Sequence, residues 1–249
     1  MKCLFLAAGY ATRLYPLTMD FPKPLLPVGN KPILDWLLDC LQPSEDIGQY
    51  IVVTNHKFAN HFDEWACGHA FPITVLDDGS TENGNRLGAV KDILFAVERL
   101  ELDDDLFILA GDNLLDFSLR PFIEYFRRKQ TTCVMRYYEP DEQKLHKTGV
   151  ALVDGHDRIA DMEEKPQHPK AHWCIPPFYL CTRADLKRIS TAIGSGCGTD
   201  APGSFLAWLS SQTAVHAYEM PGKRYDIGDL AGYEEIQRLH SSGAFRKRA

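Results

Sequence analysis

Residues 1–30 read MKCLFLAAGYATRLYPLTMDFPKPLLPVGN. Cys3-Leu4-Phe5-Leu6 is an unbroken apolar run, the pattern of a strand buried on both faces. It gives way at once to small residues, Ala7-Ala8-Gly9-Tyr10-Ala11, followed by Thr12 and Arg13. Ten residues beyond Arg13, Lys23 stands between Pro22 and Pro24. A strand, a loop of small residues, an Arg and a proline-flanked Lys together suit a polyphosphate. The loop lets backbone N–H groups approach phosphate oxygens, and the two cations neutralise them. The same residues would also serve as a plain βα turn carrying two surface cations, and this stretch alone does not choose between the two.

Outward from that stretch, strand and helix signals alternate. Pro32 suits the first turn of a helix over Ile33 to Leu41, apolar at 33, 34, 37, 38 and 41, with Pro43 just past its end. Tyr50 to Val53 reads as a second strand, Phe58 to Ala66 as a helix and Pro72 to Leu76 as a third strand. The polar and glycine-rich run from Asp77 to Arg86 is a loop. Leu87 to Leu100 has helical spacing, Leu106 to Ala110 is a fourth strand, Leu119 to Arg127 a helix, and Thr131 to Tyr138 a fifth strand. This rhythm predicts an α/β fold with a mostly parallel sheet covered on both faces.

The second part is less regular. Short strands are expected at 150–153, 158–162, 178–181 and 214–218, around helices at 183–189 and 204–209 and a glycine-rich loop at 194–198. A closing helix is expected at Leu230 to Leu239, with Ser241 to Ala249 as a frayed basic tail. The expected organisation is a single domain over 1–240, its nucleotide-type half about 1–115 and its second half about 116–240.

Composition narrows the function. The 249 residues are 45% hydrophobic and 24% charged, enough for a sizeable core. A net charge of −7 argues against non-specific nucleic-acid binding. Seven cysteines, an odd number without a CxxC, predict reduced thiols in a cytoplasmic protein. The histidines form no HExxH, so a structural zinc site is not expected. An opening that runs straight into a strand leads us to expect neither a signal peptide nor a membrane span. Self-association into a homo-oligomer is left open.

In open α/β sheets, ligands bind beyond the carboxyl ends of the strands. That rule selects Gly9 to Arg13, the 77–88 loop and Asp112, which follows the fourth strand in Gly111-Asp112-Asn113. Asp112 suits a magnesium ion (Mg2+), which favours one or two carboxylates plus phosphate oxygens, and it equally suits a strand-ending turn. In Arg224-Tyr225-Asp226-Ile227-Gly228-Asp229, Asp229 is a natural helix N-cap, which leaves Asp226 free to face a site. Glu163-Glu164-Lys165-Pro166 offers an acid and a base for sugar hydroxyls and a phosphate, or is a surface charge run before a turn.

The motifs LAAGYATRLYPLT, PKPLLPVGNKP, LAGDN, MEEKP and YDIGD, in this order, resemble the sugar-1-phosphate nucleotidylyltransferases across nearly the whole chain. The resemblance implies a Rossmann-like three-layer sandwich around a mixed, mostly parallel sheet, the nucleotide-diphospho-sugar transferase type. It also implies transfer of a nucleotidyl group to a sugar 1-phosphate with release of pyrophosphate, glucose 1-phosphate with dTTP or UTP being the expected pair. By the same resemblance, Leu6, Ala7, Ala8, Gly9, Thr12 and Arg13 hold the nucleotide and Lys23 contacts phosphates at the reacting centre. Asp112 and Asp226 hold Mg2+, while Gly149, Glu164, Lys165 and Tyr179 bind the sugar phosphate.

Three departures bear on these expectations. The second glycine of the loop is Ala11, whose Cβ disfavours positive φ, so ordinary backbone geometry and retained activity are expected there. The base-reading segment lacks glutamine, leaving Asp78, Gly79, Arg86 and Gly88 as the nearest candidates and the base open. Pro176-Pro177 replaces a more flexible glycine ahead of Tyr179. Other readings are another hexose or heptose 1-phosphate with GTP or CTP, phosphocholine as acceptor, or a non-catalytic regulatory relative. The last should have lost Arg13, Lys23, Asp112 or Asp226, and all four are present. A nicotinamide-binding enzyme is disfavoured because no GxGxxG follows the first strand. No hexapeptide-repeat extension is expected.

Overall fold

The computed structural model describes residues 1–41 and 46–245. The described residues fall into two compact units, each built from separated pieces of chain. The first takes residues within Cys3–Arg86, Ala110–Pro121 and Pro221–Ala249; the second takes Met1–Lys2, Leu87–Leu109 and Phe122–Met220. Pro43 and residues 246–249 lie outside the described residues.

In the first unit, Lys2–Leu6, Tyr50–Thr54 and Ile73–Asp77 run parallel, with Leu4 opposite Ile51 and Val52 opposite Val75. Every residue of Tyr50–Thr54 is buried, as a strand covered on both faces requires. The helices Ile33–Leu41 and Ala59–Cys67 stand where the apolar spacing predicts them. Because the three strands are parallel, the loops at 7–13, 55–58 and 77–80 leave from the same ends. Their backbones are stitched together there: Ala7 N donates to Val53 O, Asp78 N to Thr54 O and His56 N to Ser80 O, each at 2.9 Å.

Two small antiparallel pairs complete this unit, Pro27–Val28 with Lys31–Pro32, and Asn113–Leu115 with Arg224–Asp226. Segments of two or three residues are too short to carry a period, so sequence patterning passes over them. The helix Leu230–Ser241 closes the unit; its N-cap Asp229 accepts from Gly232 N at 2.9 Å. The chain does not fray at 241 as expected. Phe245 is buried, edge-on to Trp36 and Tyr225 at 5.3 and 5.5 Å, in a core with Leu14, Leu26, Val28, Ile33, Leu114, Ile227 and Ile236. An aromatic four residues from the end of a basic stretch found an apolar slot, and burial outweighed the polar composition around it.

In the second unit, Thr132–Tyr138 is the hub. Val215–Glu219 pairs with it in parallel, and Phe178–Cys181 and Trp173–Ile175 pair with it antiparallel. Phe178–Cys181 also pairs antiparallel with Leu106–Ala110. Gly149–Val153 joins Trp173–Ile175 and Ile159–Glu164, both antiparallel. The sheet is therefore mixed, as the fold class requires. The helices Ala89–Arg99, Arg120–Lys129 and Gly203–Ser210 are as patterned, while the expected 183–189 helix is two short ones, Arg183–Leu186 and Ile189–Gly194. All seven cysteines are free, and five of them are buried. Among the described residues no helix is long and apolar enough to cross a membrane.

Candidate active site

The opening loop is held from beneath by a side chain that sequence reading missed. Asn55, fully buried, donates Nδ2 to Ala8 O at 3.1 Å and accepts Phe58 N on Oδ1 at 3.1 Å. Tyr10 donates its hydroxyl to Ser80 O at 2.9 Å, tying the loop to the turn after Ile73–Asp77. A Cβ at Gly9 would meet nothing within 4 Å, so the surrounding protein does not require glycine there.

Ala11 corrects an expectation. Its φ and ψ are 47° and 41°, the left-handed region, and not the ordinary geometry foreseen for a residue with a Cβ. The cause lies in the turn that follows. The Ala11 carbonyl accepts both Leu14 N at 2.9 Å, which opens the short helix Thr12–Leu14, and the Thr18 hydroxyl at 2.8 Å. Those two bonds hold the residue in a region that costs alanine about 1–2 kcal/mol.

Beyond the loop, Arg13 is exposed and without an ion pair among the described residues; its Nη1 would lie 3.9 Å from a Cβ at Gly228. Lys23 is buried in the short helix Lys23–Leu25, and its Nζ meets Asp112 Oδ2 at 2.7 Å. A Cβ at Gly111 would lie 3.4 Å from the Pro24 ring, and the Gly111 N–H donates to Leu6 O at 3.1 Å, so the proline-flanked Lys stands beside the Gly-Asp-Asn turn. Asp112 Oδ1 accepts from Asn113 Nδ2 at 2.7 Å, and Asn113 Oδ1 accepts from Arg224 Nη1 at 2.6 Å. Arg224 Nη1 then lies 3.6 Å from Asp226 Oδ2. Lys23, Asp112, Asn113, Arg224 and Asp226 thus form one row of alternating charge and amide.

Strand pairing sets that row: Asp226 sits opposite Asn113, and Ile227 N reaches Asp112 O at 3.4 Å. Burial works to raise the Asp112 pKa, but the charge and hydrogen bond of Lys23, helped by Arg224, outweigh it and hold the carboxyl below its usual range. Asn113 and Arg224 were not singled out from sequence. Their signal was the two-residue offset of Arg224 from Asp226, which places both side chains on one face only if the segment is a strand.

Asp78 and Gly79 lie in the turn beside Tyr10. Asp78 Oδ1 accepts Ser80 N at 2.7 Å and Ser80 Oγ at 2.6 Å, and Gly79 has φ 77°. Arg86 is in the exposed polar loop, donating to Asn83 Oδ1 at 3.2 Å. In the second unit, Gly88 has φ 90°, and a Cβ there would come 3.0 Å from the Thr199 carbonyl carbon and 3.1 Å from Asp200 Cα. Its glycine is explained by packing: Ala89 N and Val90 N donate to the Asp200 and Thr199 carbonyls at the start of the Ala89–Arg99 helix.

Also in the second unit, Gly149, Glu164 and Tyr179 converge, with Gly149 paired opposite Glu164. Glu164 ends its strand, and Lys165 leaves it with φ 48° while donating its N–H to Thr148 O at 3.1 Å. Burial, only partly offset by the Lys165 charge, pushes the Glu164 carboxyl up to about 7.

Comparison with known proteins bears on the family and the fold. The nucleotidyl transferase family model matches residues 2–241. A UTP--glucose-1-phosphate uridylyltransferase of Haloferax volcanii is 27% identical over 96% of this chain and 96% of its own length. A glucose-1-phosphate thymidylyltransferase of Streptomyces antibioticus is 30% identical over 96% of this chain. A Sulfolobus acidocaldarius protein named a mannose-1-phosphate guanyltransferase is 28% identical over 95% of it. The chain spans only 65% and 62% of the lengths of those last two relatives. A solved UDP-glucose pyrophosphorylase, complexed with UDP-glucose, has the same fold: TM-score 0.82 at 20% identity, covering 97% of this chain and 98% of that one.

Proposed function

Because the chain belongs to the nucleotidyl transferase family, we propose that it transfers a nucleotidyl group from a nucleoside triphosphate to a sugar 1-phosphate and releases pyrophosphate. The observation that carries this reading is the row from Lys23 through Asp112 to Asp226, standing with Arg13 after the small-residue loop. The attacking oxygen of a sugar phosphate is already anionic at neutral pH, so the reaction requires no general base. It requires two mutually repelling anions to be held together and the charge on the equatorial and leaving oxygens to be stabilised. A site of Arg, Lys and carboxylates, without a histidine or cysteine nucleophile, suits that task.

In this reading Arg13 binds the triphosphate and Lys23 the phosphates at the reacting centre. Leu6, Ala7, Ala8, Gly9 and Thr12 line the nucleotide, with Asp78, Gly79, Arg86 and Gly88 nearest the base. Asp112 and Asp226 would hold Mg2+. The donor set fits that ion: two hard oxygen donors suffice when phosphate oxygens and water complete its shell. When bound, the ion supplies positive charge to the phosphates. Lys23 does two jobs, keeping Asp112 ionised and exchanging its carboxylate partner for a substrate phosphate. Glu164 would take sugar hydroxyls beside Gly149 and Tyr179, with Lys165 on the sugar phosphate.

Glucose 1-phosphate with dTTP or UTP is the first pair to test, in line with the names of the Haloferax and Streptomyces relatives. The free cysteines suit a reducing compartment, and the cytoplasm is the location we propose. The test is a pyrophosphate-release screen of nucleoside triphosphates against sugar 1-phosphates with Mg2+. One pair should turn over well above the rest, and chelation should abolish release without lowering the melting temperature. Equal silence from every pair would sink the reading.

A further inference from the structure

The helix Gly203–Ser210 lies against the strand that ends in Glu164, and its first residue is glycine. Nothing in the backbone asks for that glycine. Gly203 opens an α-helix and has no positive φ, so any residue could adopt its conformation, and most would favour the helix more. What it supplies is room. A Cβ at Gly203 would overlap Glu164 Oε2 and lie 2.9 Å from its Cδ and 3.3 Å from the Tyr179 hydroxyl. From the opposite strand, a Cβ at Gly149 would come within 2.9 Å of the same Oε2 and 2.9 Å of Met162 Cε. One carboxylate oxygen is therefore wedged between two side-chain-free positions about fifty residues apart in sequence.

We propose that Gly203 is a positioning residue for sugar recognition: with Gly149 it forms a slot that sets where the Glu164 carboxylate sits, and thereby which sugar phosphates the chain accepts. This rests on the reading of Glu164 as the sugar-hydroxyl contact. Gly203 and Gly149 flank the carboxylate oxygen on two sides, and the Lys165 N–H bond to Thr148 O fixes how the strand exits beyond it. The desolvation that raises the Glu164 pKa is what two close walls would cause.

Steady-state kinetics on the wild type, Gly203→Ala, Glu164→Asp and the double variant test the slot. Gly203→Ala should raise KM for the sugar phosphate about tenfold or more, since it displaces one polar contact, while KM for the nucleoside triphosphate stays within about twofold. Aspartate is one methylene shorter and clears the added Cβ, so adding Gly203→Ala to Glu164→Asp should change KM less than about twofold. An equal effect in both backgrounds, or an equal rise for the nucleotide, overturns the proposal. Melting temperatures cover the case in which Gly203→Ala folds poorly: Gly203→Ala/Glu164→Ala should melt with Glu164→Ala alone, and a persisting drop shows that the clash is not with Glu164. If the wild type uses no sugar phosphate at all, the proposed reaction fails, while the melting comparison still reports on the slot.

Discussion

Asp112 and Glu164 are two acids held in place by opposite means. Asp112 has a partner on each oxygen, Lys23 and Asn113, and its pKa is lowered. Glu164 is walled by glycines, and its pKa rises to about 7. One site is organised by charge and the other by shape. That division suits the proposed chemistry. Phosphates call for fixed charges that persist across the whole working pH range, whereas sugar hydroxyls call for a hydrogen-bonding group at a defined spot, with little need for charge.

The comparison can be broken most easily on its charged side. Lys23→Ala removes the ammonium from Asp112 and from the phosphates, and kcat should fall about 10³-fold, as for loss of one strong transition-state donor; a loss below tenfold would show that the row is structural. Asn55→Ala removes the polar bracket under the loop, takes the side-chain donor from Ala8 O and leaves Phe58 N only its 3.2 Å bond to the residue 55 carbonyl. It should cost about 1–2 kcal/mol in chemical denaturation, because the Ala8 carbonyl is buried. An unchanged midpoint would mean that water replaces the amide.

The pH dependence should separate the two acids by sign. Glu164 has a folded pKa above its unfolded value, so the folded state holds the extra proton and stability falls as pH rises from about 4.3 to about 7, levelling off above that. Asp112 has a folded pKa below its unfolded value, so its contribution is present above about 3.9 and is lost as pH falls through the folded pKa. Melting curves of Glu164→Gln should lack the fall between pH 4.3 and 7 while keeping the acid-side loss; a fall that persists in Glu164→Gln would assign it elsewhere. The smallest effect is expected at Ala11→Gly, which relieves a left-handed alanine and should stabilise the chain by about 1 kcal/mol with kcat little changed. Destabilisation there would mean that the strain is already relieved by the Thr18 and Leu14 bonds.

The same contrast explains what the sequence disclosed. The buried parallel strands and the helix Ile33–Leu41 were legible because apolar runs and helical periods are local signals. Lys23, Asp112 and Asp226 were legible because charges next to prolines, glycines and strand ends stand out. Their joining in a single row was not, since it depends on the three-residue strands Asn113–Leu115 and Arg224–Asp226 finding each other across more than a hundred residues. Gly203 was invisible for a different reason: its meaning lies in an atom it lacks, beside a residue thirty-nine positions away. Ala11 runs against its propensity because two hydrogen bonds to its carbonyl decide its conformation. The burial of Phe245 likewise came from tertiary contact that a basic tail gives no hint of.

The central claim is the reaction itself, and product stoichiometry tests it most directly. With glucose 1-phosphate, dTTP or UTP, and Mg2+, the account predicts one nucleoside diphosphate sugar formed for each pyrophosphate released, and neither product in Asp112→Asn. Pyrophosphate released without a matching nucleotide sugar, or near-normal turnover in Asp112→Asn, would contradict it.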